Sequence, residues 1–143
     1  MENNLIEIRE FNGEGYRPLV DFQTWRVAIL NYLDEIHPAR QERVERHMQT
    51  DEVFVLLKGR AVLFLGAGEA GPASLEACVL EAGKIYNVKR AVWHTVVMTR
   101  DGSVLIVENQ DTGRANSQYS PLSPGQKEKI LSTARQEHPG LWE

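Results

Sequence analysis

Cysteine is almost missing from this 143-residue chain. Cys78 is the only one, so no disulfide can close within the chain, and a reducing, cytoplasmic setting is expected. Positive charge is also in short supply, with 16 Lys and Arg against 20 Asp and Glu and a net charge of −4 at pH 7. Nucleic-acid and membrane-surface roles favour a basic face, so neither is expected as a partner. No apolar run approaches the roughly 20 residues of a membrane span. The opening "MENNLIEIREF" has neither the basic start nor the apolar stretch of a signal peptide. No repeat, low-complexity tract or linker divides the chain. The reading is one domain over residues 1–143, long enough to bury a core without disulfide or metal staples, with a small soluble molecule as ligand or substrate.

What the chain does have is strand signal through its middle. "TWRVAILNYL" (24–33) is rich in β-branched and aromatic residues and partly alternates, as a half-buried strand does. "DEIHPARQERVER" (34–46) is polar, is broken by Pro38 and reads as a loop. "EVFVLL" and "AVLFLG" flank Lys58-Gly59-Arg60, two strands joined by a short glycine turn. "ACVLEAGKIYNV" (77–88) carries Gly83 between apolar runs. "WHTVVMTRDGSVLIVEN" (93–109) reads as a hairpin, because Asp101-Gly102 suits a type I′ turn whose two central residues need positive φ. Short strands with turn signals about every ten residues point to an all-β sandwich or barrel. Near the end, Ser123-Pro124 offers an N-cap followed by proline at the first helical position. "GQKEKILSTARQE" then puts Ile130, Leu131 and Ala134 on one side, predicting an amphipathic helix over 123–137 across the outside of the barrel.

"GAGEAG" (66–71) matches G-x-G-x-x-G and follows a strand, yet a dinucleotide loop also needs a helix that starts inside it and aims N–H groups at a pyrophosphate. Pro72 follows at once, and no βαβ alternation surrounds the segment. It reads as a loop between antiparallel strands, and no nucleotide cofactor is expected.

A second constellation lies in "ERHMQTDEVFVLLKG" (45–59). Glu45 and His47 are two apart, so an extended backbone points both to one face. Glu52 can return to that face if "MQTD" bends. Carboxylates brought together without a cation repel, and one takes up a proton. The segment resembles the first motif of the cupin superfamily, G-x5-H-x-H-x3–4-E-x6-G. Glu52 lies seven before Gly59, His47 falls on the second histidine position, and Glu45 stands on the first. The second cupin motif, G-x5-P-x-G-x2-H-x3-N, is similar in spacing to "GKIYNVKRAVWH", in which Gly83 and His94 are eleven apart. Lys89, Ala91 and Met98 replace the usual proline, glycine and asparagine. Pairing His47 with Gln49 instead would leave only two residues before Glu52, so Glu45 with His47 is preferred.

The resemblance covers about residues 24–109. It implies an all-β, antiparallel cupin-type β-barrel (double-stranded β-helix, or jelly roll) with a short C-terminal helix. It also implies a divalent transition metal held inside by Glu45, His47, Glu52 and His94. Zn, Fe, Mn, Ni and Cu all suit such ligands, and ligand type does not choose among them. Phe54 and Leu56, by twos from Glu52, and Val96 and Met98, by twos from His94, are expected to point inward as a pocket wall. Gln49, Trp25 and Tyr86 are further pocket candidates, Trp93 belongs with them at the mouth, and Lys89 or Arg43 is available for an anionic group. The expected chemistry is metal-assisted binding or transformation of a small polar metabolite, a sugar derivative or a keto or hydroxy acid. As an enzyme, such a protein would be an isomerase, lyase or oxygenase. The other reading is a non-catalytic barrel that holds a small ligand or a structural metal, or none. "NNLIEIREF" could cross to a partner and cover a sheet edge, so a homodimer is expected.

Overall fold

"AVLFLG" is apolar at successive positions, which a strand tolerates only when both of its faces are covered. In the computed structural model, which describes residues 4–142, that is its situation. Leu63 of this strand points into a core between two sheets, while Val62 and Phe64 point into a second core on the far side. The two sheets hold five strands each. One runs in the order β1 (Gly15–Phe22), β2 (Trp25–Asn31), β9 (Ser103–Asn109), β4 (Glu52–Lys58), β7 (Tyr86–Val88). The other runs β10 (Ser117–Pro121), β3 (Arg43–His47), β8 (Trp93–Met98), β5 (Ala61–Gly66), β6 (Glu76–Val79). All pairings are antiparallel.

Several strand expectations hold, among them β2, β4 and β5, while others need correction. Residues 93–109 do form two strands, but they are not a hairpin pair: β8 joins the second sheet and β9 the first. Neither Asp101 nor Gly102 has positive φ. The turn spans Thr99–Gly102 and closes by Gly102 N–H donating to the Thr99 carbonyl at 2.8 Å. Glycine is needed there for space, since a Cβ at 102 would lie 2.8 Å from the Met98 Cβ. Positive φ occurs instead at Gly59, 71°, in the β4–β5 turn. A tight connection can therefore carry the chain between sheets as well as along one.

The polar stretch 34–46 is a loop only as far as residue 42. Arg43–His47 is a strand because β10 and β8 flank it and satisfy its backbone groups. Its charges hid the alternation, in which Val44 is buried outward and Arg43, Glu45 and His47 share the inner face. The barrel also reaches beyond 24–109, to β1 and β10. β1 is an edge strand, which is where Pro18 and the irregularity between Pro18 and Val20 are tolerated.

Helix α1 (Pro124–Glu137) is capped by Ser123, whose hydroxyl accepts from Gln126 N–H while the Gln126 side chain returns to Ser123 N–H. It lays Ile130 and Ala134 on Val44, Val62, Phe64, Trp93 and Val97, covering the outer face of the second sheet. Among the described residues no helix covers the outer face of the first sheet: residues 9–14 border it, and two cross-strand rows, Val27–Val107–Val53 and Ile29–Leu105–Val55, are half-buried on it. No helix among the described residues is long and apolar enough to cross a membrane.

Candidate metal centre

Inside the barrel, three strands carry the same parity inward: Glu52, Phe54 and Leu56 on β4; His94, Val96 and Met98 on β8; Glu108, Ile106 and Val104 on β9. One end of these rows is polar and the other apolar. At the polar end the first sheet contributes Glu52 and Glu108, and the second contributes Glu45, His47 and His94. Register explains the juxtaposition, because Glu45 on β3 is directly opposite His94 on β8. The structure thus brings together all four of the expected ligand residues.

Distances distinguish them. The Glu52 Oε1 lies 3.0 Å from His47 Nε2 and 2.9 Å from His94 Nε2. Glu45 Oε1 stands off at 3.8 and 4.0 Å from the same nitrogens and is half-exposed. His47, Glu52 and His94 are 8%, 5% and 4% exposed, so their polar atoms have little water to turn to. Yet His47 Nε2, Glu52 Oε1 and His94 Nε2 have no partner in hydrogen-bond geometry. They crowd together at 2.9–3.0 Å without a hydrogen bond between them.

The outer ring atoms are committed elsewhere. His94 Nδ1 faces the Val92 carbonyl at 3.0 Å, an acceptor only, so Nδ1 carries the hydrogen. In a neutral ring this leaves a lone pair on Nε2, aimed at the Glu52 carboxylate, itself an acceptor. Two acceptors 2.9 Å apart need a proton or a cation between them. His47 Nδ1 is likewise held, by Ser117 Oγ at 2.8 Å. Partners of this kind orient metal-binding imidazoles.

The electrostatics show the same need. Burial alone would raise the Glu52 carboxyl, but the two facing imidazoles outweigh it and hold it down at about 2. Burial would lower both histidines, and Glu52 reverses this, so His47 and His94 are raised. Glu108 is pushed up to about 7 by burial and by the Glu52 carboxylate beside it. Its Oε2 accepts from the Tyr16 hydroxyl, whose own proton is held more tightly than usual, by burial first and then by Glu108.

Two triads have ligand atoms within 4.8 Å of one another: Glu45, His47 and His94, and His47, Glu52 and Glu108. Two imidazoles and one to three carboxylates form a donor set that fits a divalent transition metal. The cluster sits at the base of a cavity of about 730 Å³, lined also by Tyr16, Arg40, Arg43, Phe54, Val96 and Tyr119. Glu108 and Tyr16 were not among the expected residues. Counting by twos from Val104 would have reached Glu108, whereas Tyr16 lies in a strand that Pro18 and its charges disguise.

The remaining expected pocket residues go elsewhere. Phe54 and Val96 line the cavity, whereas Leu56 and Met98 lie deeper, in the packed core. Tyr86 packs against that core, and its hydroxyl accepts from Glu81 N–H. Trp25, Gln49 and Lys89 line a separate surface cleft. Trp93 is buried on the outer side of the second sheet, beneath the Arg46 guanidinium at 4.4 Å, and its Nε1 donates to Gly68 O. Gly68 belongs to the "GAGEAG" segment, which connects β5 to antiparallel β6 and is pinned further by Arg46 donating to the Gly68 and Glu69 carbonyls.

Two facing five-stranded antiparallel sheets, an internal His/Glu cluster and one outer helix define the class: this is a cupin-type β-barrel. No protein-family model and no curated protein matches the sequence. Solved structures do match in fold. A Streptomyces Pac13 variant solved with uridine is 10% identical over 83% of this chain and 87% of its own, with a TM-score of 0.54. Pac13 is a nucleoside dehydratase. WlaRA, a TDP-fucose-3,4-ketoisomerase from Campylobacter jejuni, is 13% identical over 78% of this chain and 75% of its own, at 0.53. A Bacillus halodurans protein is 15% identical over 72% and 75%, at 0.54. At such identities the likeness is one of fold.

Proposed function

We propose that this barrel binds a divalent transition metal through His47, Glu52 and His94, with Glu45 and Glu108 in reach, and acts on a small polar metabolite that enters the cavity above it. The observation that carries this reading is the convergence of three buried, unpartnered donor atoms at the base of an open cavity. When bound, the metal supplies Lewis-acid polarisation of a substrate carbonyl or hydroxyl. The chain supplies the rest. Ser117 and the Val92 carbonyl hold the two imidazoles in orientation. Phe54 and Ile106 from the first sheet and Val96 from the second give the cavity its apolar lining. Tyr16 and Glu108, sharing a hydrogen bond on the cavity lining, form the pair able to pass a proton to or from a substrate, through the Tyr16 hydroxyl and Glu108 Oε2. Uridine in the Pac13 structure and the TDP-fucose in the name of WlaRA support a sugar derivative as substrate, with a keto or hydroxy acid as the other candidate.

Glu45 and Glu108 favour a second reading, since one of them closing on a tetrahedral ion, or both on an octahedral ion with one carboxylate bidentate, would leave no open position and a structural or purely binding site. Elemental analysis of tag-free protein before and after chelation tests the metal. Less than stoichiometric transition metal, with stability unchanged in chelator, would remove the reading. Water-proton relaxation on the Mn-loaded protein then separates an open site, which relaxes bulk water strongly, from a closed one.

Pairing of two copies belongs to the same proposal. The outer face of the first sheet carries two half-buried apolar rows across β2, β9 and β4. Exposed Phe22, Trp25 and Leu57 extend this apolar surface. A second copy presenting the same face is the occupant proposed.

A further inference from the structure

The cavity is charged unevenly. Glu45, Glu52 and Glu108 gather at the metal cluster, while the segment leading into β3 lines the cavity with Arg40 and Arg43 as well as Glu35 and Glu42. Neither arginine has a carboxylate within 4.0 Å among the described residues. Of the acidic groups nearest in sequence, Glu35 and Glu42 also line the cavity, but Glu42 pairs with Lys127 at 2.9 Å and Glu35 is exposed, while Asp34 pairs with Arg100 at 3.9 Å. Two guanidiniums lining one cavity with no carboxylate in ion-pair range are an arrangement that an anion completes.

Arg43 is also held in place. It continues the inner row of β3, so Arg43, Glu45 and His47 follow one another on one face of one strand. Tyr119, the cross-strand partner of Glu45, is diagonal to Arg43 on that face, and the guanidinium lies 4.3 Å from the centre of its ring. Stacking on an aromatic face restricts the side chain before any ligand arrives. The strand rise places the Arg43 Cα about 7 Å from that of Glu45 and about 14 Å from that of His47.

Resting on the metal reading above, we infer that Arg43, assisted by Arg40, forms an anion subsite and that the ligand is a hydroxy or keto compound bearing a carboxylate or phosphate at the end away from the metal. The polar cluster takes the hydroxyl or carbonyl end. The guanidinium on Tyr119 takes the charged end, and the strand rise sets the separation between them at roughly 8–12 Å. A neutral sugar of the same length would leave both arginines without a counter-charge.

Matched pairs of probes test this by calorimetry on metal-loaded protein in phosphate-free buffer: D-gluconate against D-glucitol for the carboxylate, and D-glucose 6-phosphate against D-glucose for the phosphate. At least one charged member is expected to bind about tenfold more tightly than its neutral partner, and the tighter arm names the anion. Arg43→Gln should abolish most of that preference, Arg40→Gln a smaller part, and Arg43→Lys should retain more than Arg43→Gln. Lys89→Gln, in the separate cleft, should change nothing. Equal binding of charged and neutral members, no binding of any probe at millimolar concentration, or a preference that survives Arg43→Gln would each overturn the subsite. Repeating the series on chelated protein separates the two readings. An Arg43-dependent preference in a protein that takes up no metal keeps the subsite and removes the metal proposal. Stoichiometric metal without that preference does the reverse.

Discussion

The two ends of the barrel interior are built by the same strands with the same parity, yet they do different things. On β4 the inward row passes from Glu52 through Phe54 to Leu56, on β8 from His94 through Val96 to Met98, and on β9 from Glu108 through Ile106 to Val104. At the apolar end Met98 and Val104 are fully buried and packed with Ala61 and Leu63. At the polar end the same rows open onto a cavity of about 730 Å³. Alternation decides which residues face inward; position along the strand decides whether inward means core or site. The packed end holds the sheets together, and that rigidity lets the other end keep three acceptor atoms facing one another.

The sharpest way to break this division is at the packed end. Met98→Ala leaves a cavity among side chains that cannot collapse, and unfolding should show a loss of about 2–5 kcal/mol. Metal content per folded molecule should stay at the wild-type level. A parallel loss of metal would show that the two ends are not separable.

At the polar end the effect should fall on the ligand rather than on the fold. His94→Gln and Glu52→Gln should abolish stoichiometric metal, read by elemental analysis, while far-ultraviolet circular dichroism stays unchanged. At a hundredfold excess of metal over its dissociation constant, wild-type protein should gain about 2.7 kcal/mol over chelated protein, and neither variant should gain it. Retained metal in both variants would move the centre toward Glu45 and Glu108.

Glu108 sharpens the comparison through pH. Its carboxyl, ordinarily near 4.5, is pushed up to about 7 in the fold, so over that interval the folded state binds more protons than the unfolded. Stability of the chelated protein should therefore fall as pH rises from 4.5 to 7. Glu108→Gln should remove that fall. The contribution of the raised histidines lies higher: it is complete below their ordinary 6.5 and is lost as pH climbs above it. Added metal should flatten the wild-type profile, because a cation replaces the proton. Urea midpoints across pH, with and without metal, read all three.

The smallest effect is expected outside the barrel. Leu57→Asp, on the outer face of the first sheet, should leave urea stability within about 0.5 kcal/mol. Light scattering should nevertheless show it monomeric at concentrations where the wild type is dimeric. A wild type that is monomeric throughout would remove the pairing proposal.

Much of this was legible in local pattern. The runs in β2, β4, β5, β8 and β9, the capped helix, and the spacings of His47 to Glu52 and of Gly83 to His94 all depend on residues near one another in sequence. Legibility failed where charge masked a strand, as in Arg43–His47 and in β1. It also failed where a turn residue had two uses: glycine at 102 serves close packing against Met98, not positive φ.

By itself the sequence determined the strand-rich class, the inward parity of each central strand and three of the donors, because a period of two and a fixed motif spacing are local properties. Only the tertiary structure decided that β8 and β9 part into different sheets, that Glu45 stands about 1 Å farther from the imidazoles than Glu52 does, and that Glu108, Tyr16 and Arg43 face the same cavity. Those are relations between strands distant in the chain. They exist only once register and closure bring the two sheets face to face.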